Sequence, residues 1–258
     1  MKELKDQVVV VTGGSRGIGR SIAEKFAVYG AKVVIGSRTI SEVDNTVAHI
    51  RENGGLAEGY ALDVGERVSC SEFVKQVYSK YNRIHVLVNC AGINSRFPAE
   101  DYPEDKWESI LNINLTGTYR MCQEVGRQMI LHGNGSIVNI TSMMSHITAP
   151  YQGAYAASKG ALLQYTKVLA VEWAKHNIRV NAVSPGYIQT SLSANVMKLP
   201  EYSNNLLKKT PQGRFGKPEE VAEAVCFLAS SAASFITGVA LPVDGGFLAG
   251  HPHIIPAE

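Results

Sequence analysis

The chain has 258 residues, 45% of them hydrophobic and 19% charged, with a formal net charge of +2 at pH 7. That length and apolar content suit one large core, and so small a net charge creates no field that selects nucleic acid or a membrane surface. The sequence contains no apolar run of about 18 residues to span a bilayer, and its cysteines form no CxxC pair that would signal a disulfide framework or zinc site.

The stretch Met1-Lys2-Glu3-Leu4-Lys5-Asp6 mixes both charge signs and lacks the apolar region of an export signal. Cys70, Cys90, Cys122 and Cys226 are scattered and read as reduced thiols, so a cytoplasmic location and no metal are expected. Val8-Val9-Val10-Val11-Thr12 is continuously apolar and β-branched, as in a strand buried on both faces of a parallel sheet. A glycine-rich turn follows, then a helix through Ile22, Ala23, Phe26 and Ala27 that stops at Gly30. Residues 32–37, 56–62 and 84–89 read as strands, separated by helices over 41–53 and 66–80.

Trp107, Ile110, Leu111, Leu115, Thr118, Met121, Cys122, Val125 and Met129 keep three-and-four spacing, which predicts one long helix. A strand over 135–142 and a second long helix over 152–175 come next, then strands at 178–184 and 239–243. The segment 187–217 reads as irregular, with Pro200, Pro211, Gly213 and Gly216 breaking it. Strands alternating with helices predict an α/β single-domain Rossmann fold: a doubly wound, parallel, seven-stranded sheet with helices on both faces. Small residues on several faces of the second long helix, among them Ala154, Ala157 and Gly160, point to burial against another subunit. A homo-oligomer, dimer or tetramer, built through the two long helices is expected.

Within that second helix Tyr155 and Lys159 stand one turn apart on one face. A phenol ordinarily titrates near pH 10, roughly, and an ammonium beside it favours phenolate. The expectation is a tyrosine drawn toward neutrality, able to exchange a proton with a substrate hydroxyl or carbonyl. The spacing alone arises by chance, so its surroundings carry the argument.

Thr12-Gly13-Gly14-Ser15-Arg16-Gly17-Ile18-Gly19 joins the first strand to the first helix. Glycines there permit a tight turn and close backbone contact with a pyrophosphate, which the helix N-terminus attracts. The GxxxGxG spacing is not the generic dinucleotide fingerprint. After the second strand, Gly36-Ser37-Arg38 brings no Asp or Glu for ribose hydroxyls, whereas Arg16 and Arg38 suit a 2′-phosphate. NADP(H) is therefore expected over NAD(H).

These pieces together resemble the classical short-chain dehydrogenases/reductases. The resemblance rests on TGGSRGIG at 12–19, Asp63-Val64, Asn89-Cys90-Ala91-Gly92, the Tyr155/Lys159 core, Asn181-Ala182-Val183-Ser184-Pro185-Gly186 and Asp244-Gly245-Gly246, in order across nearly the whole chain. It implies that Tyr155 gives a proton to the carbonyl in reduction and takes one back in oxidation. Lys159 would lower the tyrosine's pKa and bond the nicotinamide ribose. Ser142 would hold the substrate oxygen, and Asn114 would distort its helix and hold a relay water. Ser142 as a helix N-cap and Asn114 as a satisfied core amide are the plainer alternatives.

By the same resemblance the cofactor would run along Gly13, Ser15, Arg16, Gly17, Ile18 and Gly19, with Ser37 and Arg38 at its adenosine phosphate. Asp63 and Val64 would meet adenine, Asn89, Ala91 and Gly92 the ribose region, and Pro185, Gly186, Ile188 and Thr190 the nicotinamide. The family usually has a second asparagine where this chain has Cys90, which removes a structural hydrogen-bonding side chain.

The substrate pocket is expected from 94–98, 143–151 and 187–200, within a substrate loop of about 187–217. Its candidates are Arg96, Met144, His146, Tyr151 and Tyr187, with Asn94, Met143, Leu192 and Met197 beside them. Arg96 suits a carboxylate. The stretch Lys208 to Gly216 is similar to family members acting on keto sugars, sugar acids or polyols, so a small polar ketone or alcohol is expected. Reduction of 3-oxoacyl thioesters on an acyl carrier protein is the alternative, though Ile130-Leu131-His132-Gly133 offers no basic cluster for that acidic partner. A nucleotide-binding scaffold without turnover is the third reading. The tail from 247 to 258 reads as a short proline-containing extension in which Ile254 and Ile255 either dock on a neighbour or stay disordered.

Overall fold

The computed structural model describes residues 4–190 and 199–250. Leu192, Met197 and the tail from 251 to 258 lie outside them. Seven parallel strands form one sheet in the order β3-β2-β1-β4-β5-β6-β7. They are β1 (Val8–Thr12), β2 (Lys32–Ser37), β3 (Leu56–Ala61), β4 (Val86–Asn89), β5 (Gly135–Ile140), β6 (Ile178–Pro185) and β7 (Ala240–Val243). β1 lies between β2 and β4, with Val10 beside both Val34 and Leu87.

The valine run explains that central position. Alternate side chains of a strand point to opposite faces, so a strand covered on both sides needs apolar residues throughout. Val9 and Val11 pack with Ile22 and Phe26 of α1 (Gly17–Val28) and Val43 of α2 (Ile40–Glu52). Val8 and Val10 pack on the other side with Phe73 of α3 (Arg67–Tyr81). The sheet is Rossmann-like and doubly wound, as its alternating pattern predicts.

The long run expected over 107–129 is helical throughout, and it is distorted at Asn114 as the resemblance implied. α4 (Glu104–Leu111) passes into a π turn (Asn112–Thr116) and then α5 (Gly117–His132). A π turn admits one extra residue per turn while three-and-four spacing persists, so periodicity alone does not reveal it. α6 (Gly153–Trp173) lies alongside α5, and a Cβ on Gly126 would collide with the Trp173 ring. Part of the small-residue content of these helices therefore serves packing within the chain.

The segment expected to be irregular contains α7 (Pro200–Lys209). Proline at the first helical position lacks only an N–H that would be unpaired anyway, so Pro200 starts this helix rather than breaking it. Glu201 in its first turn and Lys208 with Lys209 in its last complement the helix dipole. α8 (Pro218–Ala229) follows by the same device and stacks on α1, where Glu223 accepts from Tyr29 Oη at 2.8 Å and pairs with Lys25 Nζ at 2.7 Å. No helix among the described residues is long and apolar enough to cross a membrane.

Candidate active site

A cleft of about 470 Å³ opens along the carboxyl ends of the strands. It straddles β1 and β4, where the strand order reverses direction, the usual ligand crevice of open α/β sheets. Its wall takes in Gly13, Ser15, Arg16, Gly17, Ile18 and Gly19 at one side, then Ser37, Arg38, Asp63 and Val64. Ala91, Gly92, Ser142, Tyr155, Lys159, Pro185, Gly186, Tyr187, Ile188 and Thr190 also line it. Residues from segments far apart in sequence thus converge on one surface.

The glycine turn is shaped by contact. Gly13 has φ +66°, and a Cβ there would sit 2.8 Å from Ala91 Cα, so the turn lies directly on the loop after β4. Gly19 packs onto the Gly13 carbonyl, leaving no room for a side chain. α1 begins with no acidic residue in its first turn and no side-chain cap at Arg16. Its first N–H groups and the positive end of its dipole are therefore arranged for an anion.

Below the cleft floor runs a chain of buried polar side chains. Asn89 Nδ2 donates to Asn139 Oδ1 at 2.9 Å, and Asn139 Nδ2 donates to Thr166 Oγ1 of α6 at 3.0 Å. Thr12 Oγ1 accepts from the backbone N–H groups of Cys90 and Ala91 at 3.1 and 3.2 Å, fixing the loop in which Cys90 replaces the family's asparagine. Burial pushes the Cys90 thiol up to about 12, so it stays protonated near neutrality.

At the other wall α6 delivers Tyr155 and Lys159. Lys159 is 5% exposed, and its Nζ donates to the Ile140 carbonyl at 2.7 Å, 5.7 Å from the Tyr155 ring centre. Burial lowers its pKa to about 8, so the ammonium still predominates at pH 7. The Ser142 hydroxyl hydrogen-bonds the Tyr155 phenol and also accepts from Met144 N–H at 3.1 Å, capping the short 3₁₀ turn Met143–Ser145. The N-cap reading of Ser142 is thus observed, and its hydroxyl also faces Tyr155 in the cleft.

One expectation is corrected here. The tyrosine is not drawn toward neutrality: its pKa is raised, because burial outweighs the Ser142 hydrogen bond and Cys90 adds to the rise. Spacing on a helix shows that an ammonium is near, but not that its hydrogen bond goes to a strand carbonyl instead.

Asn114 is fully buried inside the π turn. Its Oδ1 accepts from Ile93 N–H at 2.8 Å, and its Nδ2 donates to Ile93 O at 3.0 Å and Ser158 Oγ at 3.1 Å. It pins the loop after Gly92 to α6 from beneath the cleft.

Of the five substrate candidates, Tyr187 alone lines the cleft among the described residues. Met144 is buried and touches Ser142 through its backbone; His146 Nε2 shares a 3.1 Å hydrogen bond with Ser184 Oγ. Tyr151 is 58% exposed with φ +65°. Arg96 is exposed, but its charge reaches Tyr187, whose phenol burial pushes up and to which Tyr202 of α7 is hydrogen-bonded. Tyr202 was missed because α7 was missed. Also unforeseen is Arg120 of α5, which donates to the Val64 and Gly65 carbonyls at 3.0 and 2.6 Å and so shapes the Asp63–Val64 corner. Its place in an apolar helical pattern gave no sign of that.

Residues 13–248 match the family model described as enoyl-(acyl carrier protein) reductase. The chain is a classical short-chain dehydrogenase/reductase. Within that family it is 41% identical over 246 residues to the 3-oxoacyl-[acyl-carrier-protein] reductase FabG of Thermotoga maritima, covering 95% of this chain and 99% of that one. It is 41% identical over 244 residues to an NAD-dependent glycerol dehydrogenase of Listeria innocua, covering 95% and 94%. A crystal structure of a gluconate 5-dehydrogenase from Burkholderia cenocepacia in complex with NADP and tartrate superposes with a TM-score of 0.93 at 34% identity, covering 96% and 98%. This short-chain dehydrogenase is thus an oxidoreductase, and its glycine cradle and anion-ready helix start fit the nicotinamide cofactor such enzymes use.

Proposed function

We propose that the chain is an NADP(H)-dependent oxidoreductase that interconverts a ketone and a secondary alcohol on a small polar substrate of the keto sugar, sugar acid or polyol type. The observation that carries this is one cleft with a serine–tyrosine–lysine group at one end and Arg16 with Arg38 at the other. When bound, the cofactor supplies or accepts the hydride. Gly13 to Gly19 would cradle its pyrophosphate, Arg16 and Arg38 its 2′-phosphate, Asp63 and Val64 its adenine, and Ile188 and Thr190 its carboxamide.

The chain's own residues handle the proton. The Ser142 hydroxyl orients the substrate oxygen beside the Tyr155 phenol. A raised phenol pKa keeps Tyr155 protonated at pH 7, the form needed to give a proton to the alkoxide that develops in reduction. Lys159, mostly charged at that pH, offsets the negative charge left on the phenol oxygen and returns its proton through the Asn114 side of the site. Arg96, beside Tyr187 and Tyr202 at the mouth, suits a substrate carboxylate.

The same reading includes a cytoplasmic homodimer or homotetramer through the outer faces of α5 and α6, where Leu131, Val168 and Val171 are 78%, 49% and 81% exposed. The acyl-thioester alternative is favoured by the Thermotoga relative. The deciding assay follows NADPH oxidation with keto sugar acids, polyol-derived ketones, simple ketones and acetoacetyl thioesters, then repeats it with NADH. Fastest turnover on a keto sugar acid or polyol ketone is expected. A clear preference for the thioester would replace the substrate reading, and nucleotide binding without any turnover would leave a scaffold.

A further inference from the structure

The segment after β2 carries no acid in sequence, yet the first turn of α2 returns one to the same place. Glu42 Oε2 accepts from Ser15 Oγ at 3.1 Å, and its Oε1 pairs with Arg16 at 3.7 Å. Ser15 Oγ also lies 3.1 Å from Ser37 Oγ, and Ser15 with Ser37, Arg16 and Arg38 forms the end of the cleft that the cofactor reading assigns to a 2′-phosphate. Thr46 locks the arrangement from behind, donating to the Ser15 carbonyl at 3.0 Å.

We propose that Glu42 is a specificity-determining residue: its carboxylate holds the Ser15 hydroxyl and Arg16 guanidinium that a 2′-phosphate would use, and so limits the preference for NADP(H) over NAD(H). This rests on the reading that the 2′-phosphate lies at Arg16 and Arg38. A phosphate monoester carries about −1.5 to −2 charge at pH 7. Bringing it next to a carboxylate costs Coulomb energy that a free ribose hydroxyl does not meet. The Arg16 pair is exposed, 68% and 39% at the two side chains, so it is weak enough to be displaced but not without loss. The acid also sits in the first turn of its helix, at the positive end of the dipole.

Calorimetric titration with 2′,5′-ADP and 5′-AMP reads this without turnover. Glu42→Gln keeps an acceptor for Ser15 while removing the charge; Glu42→Ala removes both. Each variant should bind 2′,5′-ADP about three- to tenfold more tightly than the unmodified chain, with 5′-AMP changed less than about twofold. The gain should shrink in high salt. Unchanged or weaker 2′,5′-ADP binding in both variants would overturn the proposal. Should the unmodified chain bind 2′,5′-ADP no better than 5′-AMP, the cofactor reading falls. A gain in the variants would then still sustain the role of Glu42, and no gain would end it.

Discussion

The two ends of the cleft are built on opposite plans. At the proton-transfer end the working groups are buried and tied to backbone: Lys159 to the Ile140 carbonyl, Asn114 to both polar atoms of Ile93, Ser142 to Met144. At the adenosine end the charges stand in solvent, with Arg16 at 68% side-chain exposure and Arg38 also exposed. Buried polar groups are costly to leave unpaired, so the first end tolerates little change. Exposed charges are worth little to folding, so the second end can be rewritten. On the proposed reading, chemistry is held by the interior and cofactor choice is left to the surface.

Three experiments test that contrast. The largest effect falls on the buried end: Tyr155→Phe should lower kcat by about 10³-fold or more by removing the proton donor, with NADPH binding nearly intact by fluorescence titration. An unaltered rate would take Tyr155 out of the mechanism. At the exposed end, the unmodified chain should use NADPH at least about tenfold better than NADH in kcat/KM, and Arg38→Asp should invert that ratio with little loss of melting temperature. Equal use of both cofactors by the unmodified chain would defeat the 2′-phosphate reading.

The smallest effect separates stability from activity. Lys159 titrates near 8 when folded, against 10.5 ordinarily, so the unfolded chain holds more protons across that window. Burial of the ammonium therefore costs stability below about pH 8, and the cost fades as pH rises toward 10.5. The ceiling is about 3 kcal/mol at ~1.4 kcal/mol per pH unit, and losing the charged hydrogen bond to Ile140 takes back about 1.5–3 kcal/mol. Lys159→Met should thus be inactive yet melt no lower than the unmodified chain at pH 7, and fall behind it by pH 10 in paired thermal scans. A variant that melts lower at pH 7 would show that the lysine's hydrogen bond outweighs its desolvation.

The same contrast explains what the sequence made legible. The valine run of β1, the glycine turn and the Tyr155/Lys159 pair are local patterns with one physical solution each: the run is buried at the centre of the sheet, and the other two line one cleft. Long-range consequences were hidden. Pro200 looked like a breaker because helix starts and helix breaks use the same residue. The acid at Glu42 was invisible because it returns to Ser15 through a helical turn, not through the strand end where ribose-binding acids usually sit. The tyrosine's raised pKa depends on burial, which a four-residue spacing does not encode.

The Asn89–Asn139–Thr166 relay joins β4, β5 and α6 by buried side-chain bonds. The helix bearing Tyr155 is thereby keyed in depth and rotation to the strands themselves. Mouth segments transplanted from one relative to another should then alter what is recognised while leaving the donor's aim untouched, which offers a structural route by which one scaffold diversifies its substrates.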